Sequence, residues 1–212
     1  MSYLRVKVCG ITNEDDARRA VRHGADALGF LLWSGSPRAV TVERAAAIAK
    51  TLPPFVWKVG VFVDASPDEV ERATSIARLD VAQLHGDENV THFRHLGVRL
   101  VKAIGVSGPG DVQEALDLPP DVMPLADADD PWLRGGTGKS ASWPHVAEIA
   151  RARPTILAGG LNAENIADAV MAVRPWGVDV SSALEDEPGV KNAKKLAVFF
   201  AAVEPVRSVR RD

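Results

Sequence analysis

Eight short apolar runs alternate along this chain with segments of helical character, and this alternation constrains the fold more than any other feature. The runs are rich in Val, Ile and Leu, as is typical of parallel strands that are covered on both faces. Because the order βα is repeated throughout, it predicts an α/β fold with a parallel sheet. The candidate strands are Arg5–Cys9, Ala27–Leu32, Trp57–Val63, Val81–Leu84, Arg99–Ala103, Val122–Ala126, Thr155–Ala158 and Gly177–Val180, and the candidate helices are residues 14–23, 42–51, 67–77, 88–96, 110–116, 143–152, 163–173 and 191–203.

The number of units favours a closed barrel over an open sheet. The chain has 212 residues, so each unit has about 26 residues, close to the minimum for a repeated βα unit. A doubly wound open sheet is the alternative that the same order permits. We predict a single-domain (β/α)8 TIM barrel over residues 1–204. Residues 205–212, with Arg207, Arg210 and Arg211, are expected to form a short solvated tail.

Composition excludes several classes of protein. The net charge of −3 offers no broad basic field for nucleic acid. A single cysteine rules out an internal disulfide and fits a reducing compartment. The sequence has neither a secretory signal nor a run of the ~20 apolar residues that a membrane span needs. We therefore expect a cytoplasmic protein that binds neither membrane nor nucleic acid.

Polar residues follow several of the predicted strands, where barrel enzymes place their chemistry. Cys9 ends the first strand, although a lone cysteine is also often a small buried hydrophobe. Asp127 ends the sixth strand in a register that points toward the barrel mouth. Arg38 follows the second strand and is suited to bidentate binding of a carboxylate or phosphate, or it is a surface charge. His85 follows the fourth strand, with its role left open.

Two small-residue loops predict an anion site. Gly159 and Gly160 lie between the seventh strand and a helix, where glycines allow backbone N–H groups to approach an anion. Ser181 and Ser182 follow the eighth strand and supply hydroxyl groups. Loops seven and eight often bind phosphate together in this architecture. We predict a phosphate site here, with a simple glycine turn as the alternative.

A third glycine-rich stretch, Arg134–Ser140, resembles the end of a nucleotide-binding loop. That motif needs a glycine at the position of Leu133, so we reject nucleotide hydrolysis. The stretch is better interpreted as a mobile lid anchored by Trp143, or as a solvated surface loop. The five histidines do not have metal-ligand spacing.

These residues together resemble the phosphoribosylanthranilate isomerase family over nearly the whole chain. The resemblance implies that Cys9 is a general base, that Asp127 is a general acid and that Arg38 contacts the anthranilate carboxylate. It also implies that Asp179 faces the substrate and that loops seven and eight hold the sugar phosphate. We predict His85 as a further substrate-binding residue. The matching segments are Val6–Thr12, Gly24–Phe30, Ser36–Arg38, Val59–Val63, Gln83–Gly86, Gly135–Lys139, Ala158–Asn162 and Asp179–Ser182.

The implied reaction is an Amadori rearrangement, which needs one acid, one base and neither metal nor cofactor. The acid protonates the ribose ring oxygen, and the base removes the C2 proton of the resulting iminium. For Cys9 to be the base, the pKa of its thiol should fall toward neutrality, and Lys7 and the end of the first helix are the candidates for lowering it. The direction of the Lys7 side chain is open. Asp127 must hold a proton, which favours a partly desolvated position.

Two alternatives belong to other functional classes. Another phosphate-binding barrel enzyme, such as a sugar-phosphate isomerase or epimerase, would favour a metal cluster, a catalytic lysine or paired carboxylates. A non-catalytic phosphate-ligand module would keep the anion site without both proton-transfer residues. The partner is expected to be a phosphorylated small molecule, and the sequence leaves monomer and homodimer open.

Overall fold

Eight parallel strands close into a barrel in the computed structural model, which describes residues 3–128 and 142–208. Each strand pairs with the next, and the eighth pairs with the first, so the predicted (β/α)8 barrel is confirmed. Asp129, Asp130, the predicted lid Arg134–Ser140, and Arg210 and Arg211 lie outside the described residues. The strands are β1 (Arg5–Cys9), β2 (Ala27–Leu31), β3 (Trp57–Phe62), β4 (Val81–Leu84), β5 (Arg99–Gly105), β6 (Val122–Asp127), β7 (Ile156–Ala158) and β8 (Gly177–Val180).

Helices cover the outside of the barrel, and local capping fixes where several of them begin. The Asn13 side chain accepts a hydrogen bond from the Asp16 N–H, and Ser66 and Glu69 form a reciprocal capping box ahead of the third helix. Within the described residues, none of the helices is both long and apolar enough to cross a membrane. The helices are α1 (Glu14–His23), α2 (Val42–Ala49), α3 (Pro67–Ala77), α4 (Pro109–Asp117), α5 (Trp143–Ala152), α6 (Ile166–Val173) and α7 (Ala193–Val203). Trp143, the expected anchor of the lid, begins α5 and is buried.

The alternation of side chains along each strand separates two apolar layers. In β1, Val6 and Val8 pack outward against the helices in the large core. Lys7 and Cys9, in the alternate positions, therefore point into the barrel. A smaller apolar cluster fills the barrel interior and includes Val59, Val81, Val101, Leu125, Ile156 and Ala158.

Beyond small shifts of element bounds, the structure differs from the prediction in four places. In one of them, the predicted helix 191–203 begins at Ala193, because Val190–Lys191 form a strand and Asn192 caps the helix. Residues 88–96 form two short 3₁₀ turns, Val90–His92 and Arg94–Leu96, instead of an α-helix; Asn89 caps the first turn, and Gly97, with a φ of +65°, ends the second. The helix predicted over residues 163–173 begins only at Ile166. The Asn162 side chain accepts hydrogen bonds from the Glu164 and Asn165 N–H groups, which holds residues 162–165 in a turn. Two short strands absent from the prediction, β9 (Glu185–Glu187) and β10 (Val190–Lys191), form a hairpin after β8.

The expectation of a wholly solvated tail is wrong for Arg207. This side chain is buried and donates to the Gly24 carbonyl at 2.6 Å and to the Asp26 carboxylate at 2.9 Å. Its own carbonyl accepts from the Leu4 N–H, so the end of the chain is tied to the first strand. A guanidinium that pairs with a carboxylate and a backbone carbonyl is stable in such a position, which composition alone does not reveal. The domain boundary at residue 204 stays a prediction.

Candidate active site

A cavity of about 550 Å³ opens at the carboxyl ends of the barrel strands. It contains side chains from both β1 and β6, together with the loops that follow β7 and β8. Nine residues singled out from the sequence lie along its wall: Cys9, Arg38, His85, Asp127, Gly159, Gly160, Asp179, Ser181 and Ser182. The barrel topology therefore brings them to one site.

Cys9 is the last residue of β1 and is buried, with 8 % of its surface exposed. Burial raises the pKa of the Cys9 thiol, the ammonium groups of Lys7 and Lys191 oppose that effect, and the Asp179 carboxylate adds to it. The expectation that the thiol pKa falls toward neutrality is therefore wrong for this structure. Desolvation penalises the thiolate more than the nearby positive charges favour it.

Lys7 points into the barrel, which resolves the direction that the sequence left open. Its ammonium nitrogen lies 2.6 Å from Asp179 Oδ2, and both side chains are almost inaccessible to solvent. Burial alone would lower the pKa of Lys7, but Asp179 and Cys9 raise it above its ordinary value, so the ammonium stays charged. The second carboxylate oxygen of Asp179 is buried and has no hydrogen-bond donor among the described residues. It is therefore suited to accept a hydrogen bond from a hydroxyl group of a ligand in the cavity.

Asp127 ends β6, where it pairs in register with Gly105 on one side and Ala158 on the other. Its side chain is half-buried at the cavity wall, in the part of the barrel opposite β1. The carboxyl group therefore reaches the cavity from a partly desolvated position.

His85 borders the same cavity, and its ring Nδ1 lies 3.0 Å from the Gln83 side-chain amide. Burial lowers the pKa of His85 and outweighs the opposing charge of Asp127. The lowered pKa favours the neutral imidazole, which has one donor and one acceptor nitrogen, at the exposed rim of the cavity. A neutral ring is suited to hydrogen bonding more than to ion pairing.

Arg38 reaches the cavity through a buried charge cluster that the sequence did not reveal. Its Nε and Nη2 donate to the Glu185 carboxylate at 2.7–3.0 Å, and the Lys191 ammonium donates to the same carboxylate at 2.7 Å. The cluster of Arg38, Glu185 and Lys191 keeps one net positive charge beside the cavity. Gly10 makes room for it, since a Cβ there would lie 2.7 Å from Arg38 Cδ, and its φ of +78° also favours glycine.

Glu185 and Lys191 could have been found from one signal, the Pro188-Gly189 pair between two short charged segments. That pattern is typical of a turn, and Gly189 has the positive φ of +86° that the hairpin needs. The hairpin places Glu185 between the loop after β8 and Arg38. It therefore holds two walls of the cavity together.

The predicted phosphate loops have an open backbone conformation. Gly159 and Gly160 have φ of +93° and +58°, in the left-handed region that favours glycine. Ser182 begins a short 3₁₀ turn, whose first N–H groups have no partner inside the turn. The Ser181 hydroxyl donates to the Cys9 carbonyl at 3.1 Å, so it also fixes the end of β1.

Comparison with known proteins agrees with this geometry. The family model described as N-(5'-phosphoribosyl)anthranilate (PRA) isomerase matches residues 6–202. The chain is 43% identical over 204 residues to the N-(5'-phosphoribosyl)anthranilate isomerase of Acidithiobacillus ferrooxidans, covering 96% of this chain and 98% of that one.

Two solved structures extend the likeness to the whole barrel. A phosphoribosyl anthranilate isomerase in complex with reduced 1-(o-carboxyphenylamino)-1-deoxyribulose 5-phosphate superposes with a TM-score of 0.85 at 36% identity, over 95% of this chain and 99% of that one. Monomers generated from the dimeric enzyme of Thermotoga maritima give a TM-score of 0.82 at 36% identity, over 95% and 98% of the two chains. The chain belongs to the N-(5'-phosphoribosyl)anthranilate isomerase family.

Proposed function

We propose that this chain converts N-(5'-phosphoribosyl)anthranilate to 1-(o-carboxyphenylamino)-1-deoxyribulose 5-phosphate, a step of tryptophan biosynthesis. The observation that carries the proposal is one cavity that contains a thiol, a carboxyl group and two anion-binding loops. Family membership supports the same reaction. The alternatives of a sugar-phosphate epimerase and a non-catalytic module gain no supporting observation. The cytoplasm stays the predicted location.

In the proposed mechanism, Asp127 is the general acid and Cys9 is the general base. Asp127 donates its proton to the ribose ring oxygen, the C1–O bond breaks and the anthranilate nitrogen lone pair forms an iminium. Cys9, as the thiolate, then removes the C2 proton, and the electron pair of that C–H bond neutralises the iminium as an enolamine. Transfer of a proton to C1 and loss of the C2 hydroxyl proton give the aminoketose. Because the two residues stand on opposite parts of the barrel wall, each can act at its own end of the C1–C2 unit.

The remaining residues bind and orient the substrate in this proposal. Backbone N–H groups of the loops at Gly159–Gly160 and Ser181–Ser182 bind the phosphate. Arg38 pairs with the anthranilate carboxylate. The Asp179 oxygen that has no donor among the described residues accepts a hydrogen bond from a ribose hydroxyl. His85 donates a hydrogen bond to the substrate from the cavity rim.

The identity of the product tests the function. Substrate enriched with ¹³C at ribose C2 should, on mixing with the protein, give a ketone carbonyl signal in the NMR spectrum. A signal that stays in the sugar region, although the protein is folded, would exclude this reaction.

Arg38→Ala should raise KM by roughly 10–100-fold with a much smaller change in kcat. A charge-assisted hydrogen bond contributes about 1.5–3 kcal/mol, and each 1.4 kcal/mol is a factor of about ten. Steady-state kinetics measure the effect, and Arg44→Ala is the matched control because Arg44 pairs with Glu14 away from the cavity wall. An unchanged KM in Arg38→Ala would reduce Arg38 to a structural partner of Glu185.

We also propose that the protein is a homodimer that associates through the amino-terminal face of the barrel. Phe55, in the loop before β3, is 97% exposed and has a φ of +70°, which is rare for an aromatic residue. The same face has an apolar cavity of about 470 Å³, with Trp57 and Trp176 among its lining residues. A protruding aromatic side chain and an apolar cavity on one face suit a two-fold contact between copies. The dimeric state of the Thermotoga maritima relative supports this assembly.

Light scattering tests the dimer. The wild type should have twice the chain mass of 22.7 kDa, and Phe55→Glu should have the mass of one chain. Met171→Glu, at a 55% exposed position on α6, is the control and should stay dimeric. A monomeric wild type at micromolar concentration would contradict the proposal.

A further inference from the structure

The proposed base, Cys9, lies in a position that disfavours its own active form. It is buried at the end of β1, and a thiolate loses hydration there. A base in this position needs a fixed positive charge beside it. The structure offers one in the same strand, two residues earlier.

Lys7 and Cys9 are neighbours on the inner side of β1. A Cβ built on Gly29, which pairs in register with Cys9, would lie 2.7 Å from the Cys9 sulfur and 3.1 Å from the Lys7 nitrogen. Both groups therefore use the space left by this glycine. The Lys7 ammonium also lies 2.6 Å from Asp179 Oδ2, with 6% of its side chain exposed, so it is held in place from the far side.

We propose that Lys7 is a positioning residue whose ammonium is shared between the Asp179 carboxylate and the Cys9 sulfur, and that this sharing sets how readily Cys9 becomes a thiolate. The inference rests on the proposed function, in which Cys9 is the base. Lys7 contacts no substrate atom in this account. It acts through the sulfur, and Asp179 holds part of its charge away from the thiol.

The charged and titratable groups around Lys7 and Cys9 come from several elements that pack against β1. Lys191 of β10 and Arg38 from the loop after β2 add positive charge near the sulfur, and Asp179 of β8 adds negative charge. The Lys7 ammonium also contributes to the lowered pKa of His85. Lys7 has the largest favourable influence on the thiolate among them, which is why its removal should have a distinct signature.

Alkylation by iodoacetamide measures the thiolate directly, because Cys9 is the only cysteine in the chain. In Lys7→Met, the rate at pH 8 should fall about tenfold or more, since an opposite charge at this range shifts a titration by one unit or more. Lys7→Arg should retain most of the reactivity. Lys58→Met is the matched control, because Lys58 lies on β3 and pairs with Asp80, and its profile should equal that of the wild type.

Asp179→Asn gives the opposite result and keeps the proposal testable if Lys7→Met does not fold. Removing the carboxylate takes away a negative charge that acts directly on the thiol and leaves the Lys7 ammonium to the sulfur alone, so alkylation at pH 8 should become faster. An unchanged or slower rate in Asp179→Asn, or an unchanged rate in folded Lys7→Met, would overturn the proposal.

The alkylation assay needs no substrate, so it separates this proposal from the proposed function. If the wild type isomerises its substrate, kcat/KM in Lys7→Met should fall together with the alkylation rate, because a smaller fraction of Cys9 is thiolate. If alkylation is slower in Lys7→Met and faster in Asp179→Asn, but the wild type does not isomerise the substrate, the pairing of Lys7 with Cys9 is supported and the proposed isomerase function is rejected. Isomerisation with an unmoved alkylation profile would reject the role of Lys7 alone.

Discussion

Cys9→Ala is expected to lower kcat by about 10²–10⁴, the range for losing one positioned proton-transfer group. The methyl group of alanine cannot remove the C2 proton, while phosphate binding and Arg38 are unaffected. KM should therefore change little. The loss of one sulfur from a position that borders a cavity should leave the fold intact, as thermal unfolding and circular dichroism can check.

The pH profile supplies a second sign of the same base. Since burial raises the pKa of Cys9, the thiolate fraction grows as pH rises toward and beyond the usual thiol range near 8.5. In the wild type, alkylation of Cys9 by iodoacetamide should therefore become faster across this interval. Turnover by Cys9→Ala close to that of the wild type would remove the thiol from the mechanism.

Asp127→Asn should lower kcat by a similar factor of about 10²–10⁴. The amide has the shape of the carboxyl group but cannot donate an acidic proton to the ribose ring oxygen. Without that proton the leaving oxygen departs as an alkoxide, so ring opening becomes the slow step. Steady-state kinetics with the folded variant measure the loss.

Asp87→Asn is the matched control for this substitution. Asp87 is an exposed carboxylate on the loop after β4, outside the cavity wall, and its substitution should leave kcat within about twofold, as is usual for a surface change. If Asp127→Asn retained wild-type turnover, another group would have to be the acid.

Much of the fold could be predicted because its signals are local. The bounds of β1, β4, β8, α1 and α3 agree with the sequence prediction, since apolar runs, the Ser66–Glu69 capping box and Gly24 mark where these elements start and stop. Residues 88–96 were harder to predict because their periodicity is weak. There, Asn89 caps a first 3₁₀ turn and Gly97 ends a second.

The positions of the site residues could also be predicted, because a barrel brings all its strand ends to one edge. Their partners could not. Glu185 meets Arg38 across 147 residues of sequence, and Lys7 meets Asp179 across 172. Such pairs are set by the closure of the barrel and by a hairpin that the prediction omitted. The pKa of Cys9 was predicted in the wrong direction because burial depends on the whole tertiary structure.

The most direct test of the central claim follows the fluorescence of enzymatically made phosphoribosylanthranilate after mixing with excess protein. Under this condition each site turns over at most once, so the decay reports a single turnover. The wild type should abolish the anthranilate-type fluorescence rapidly, and Cys9→Ala and Asp127→Asn should each do so at least about a hundredfold more slowly. Equal rates for all three proteins, or no decay with folded wild type, would contradict the assignment of this thiol and this carboxyl group to the reaction.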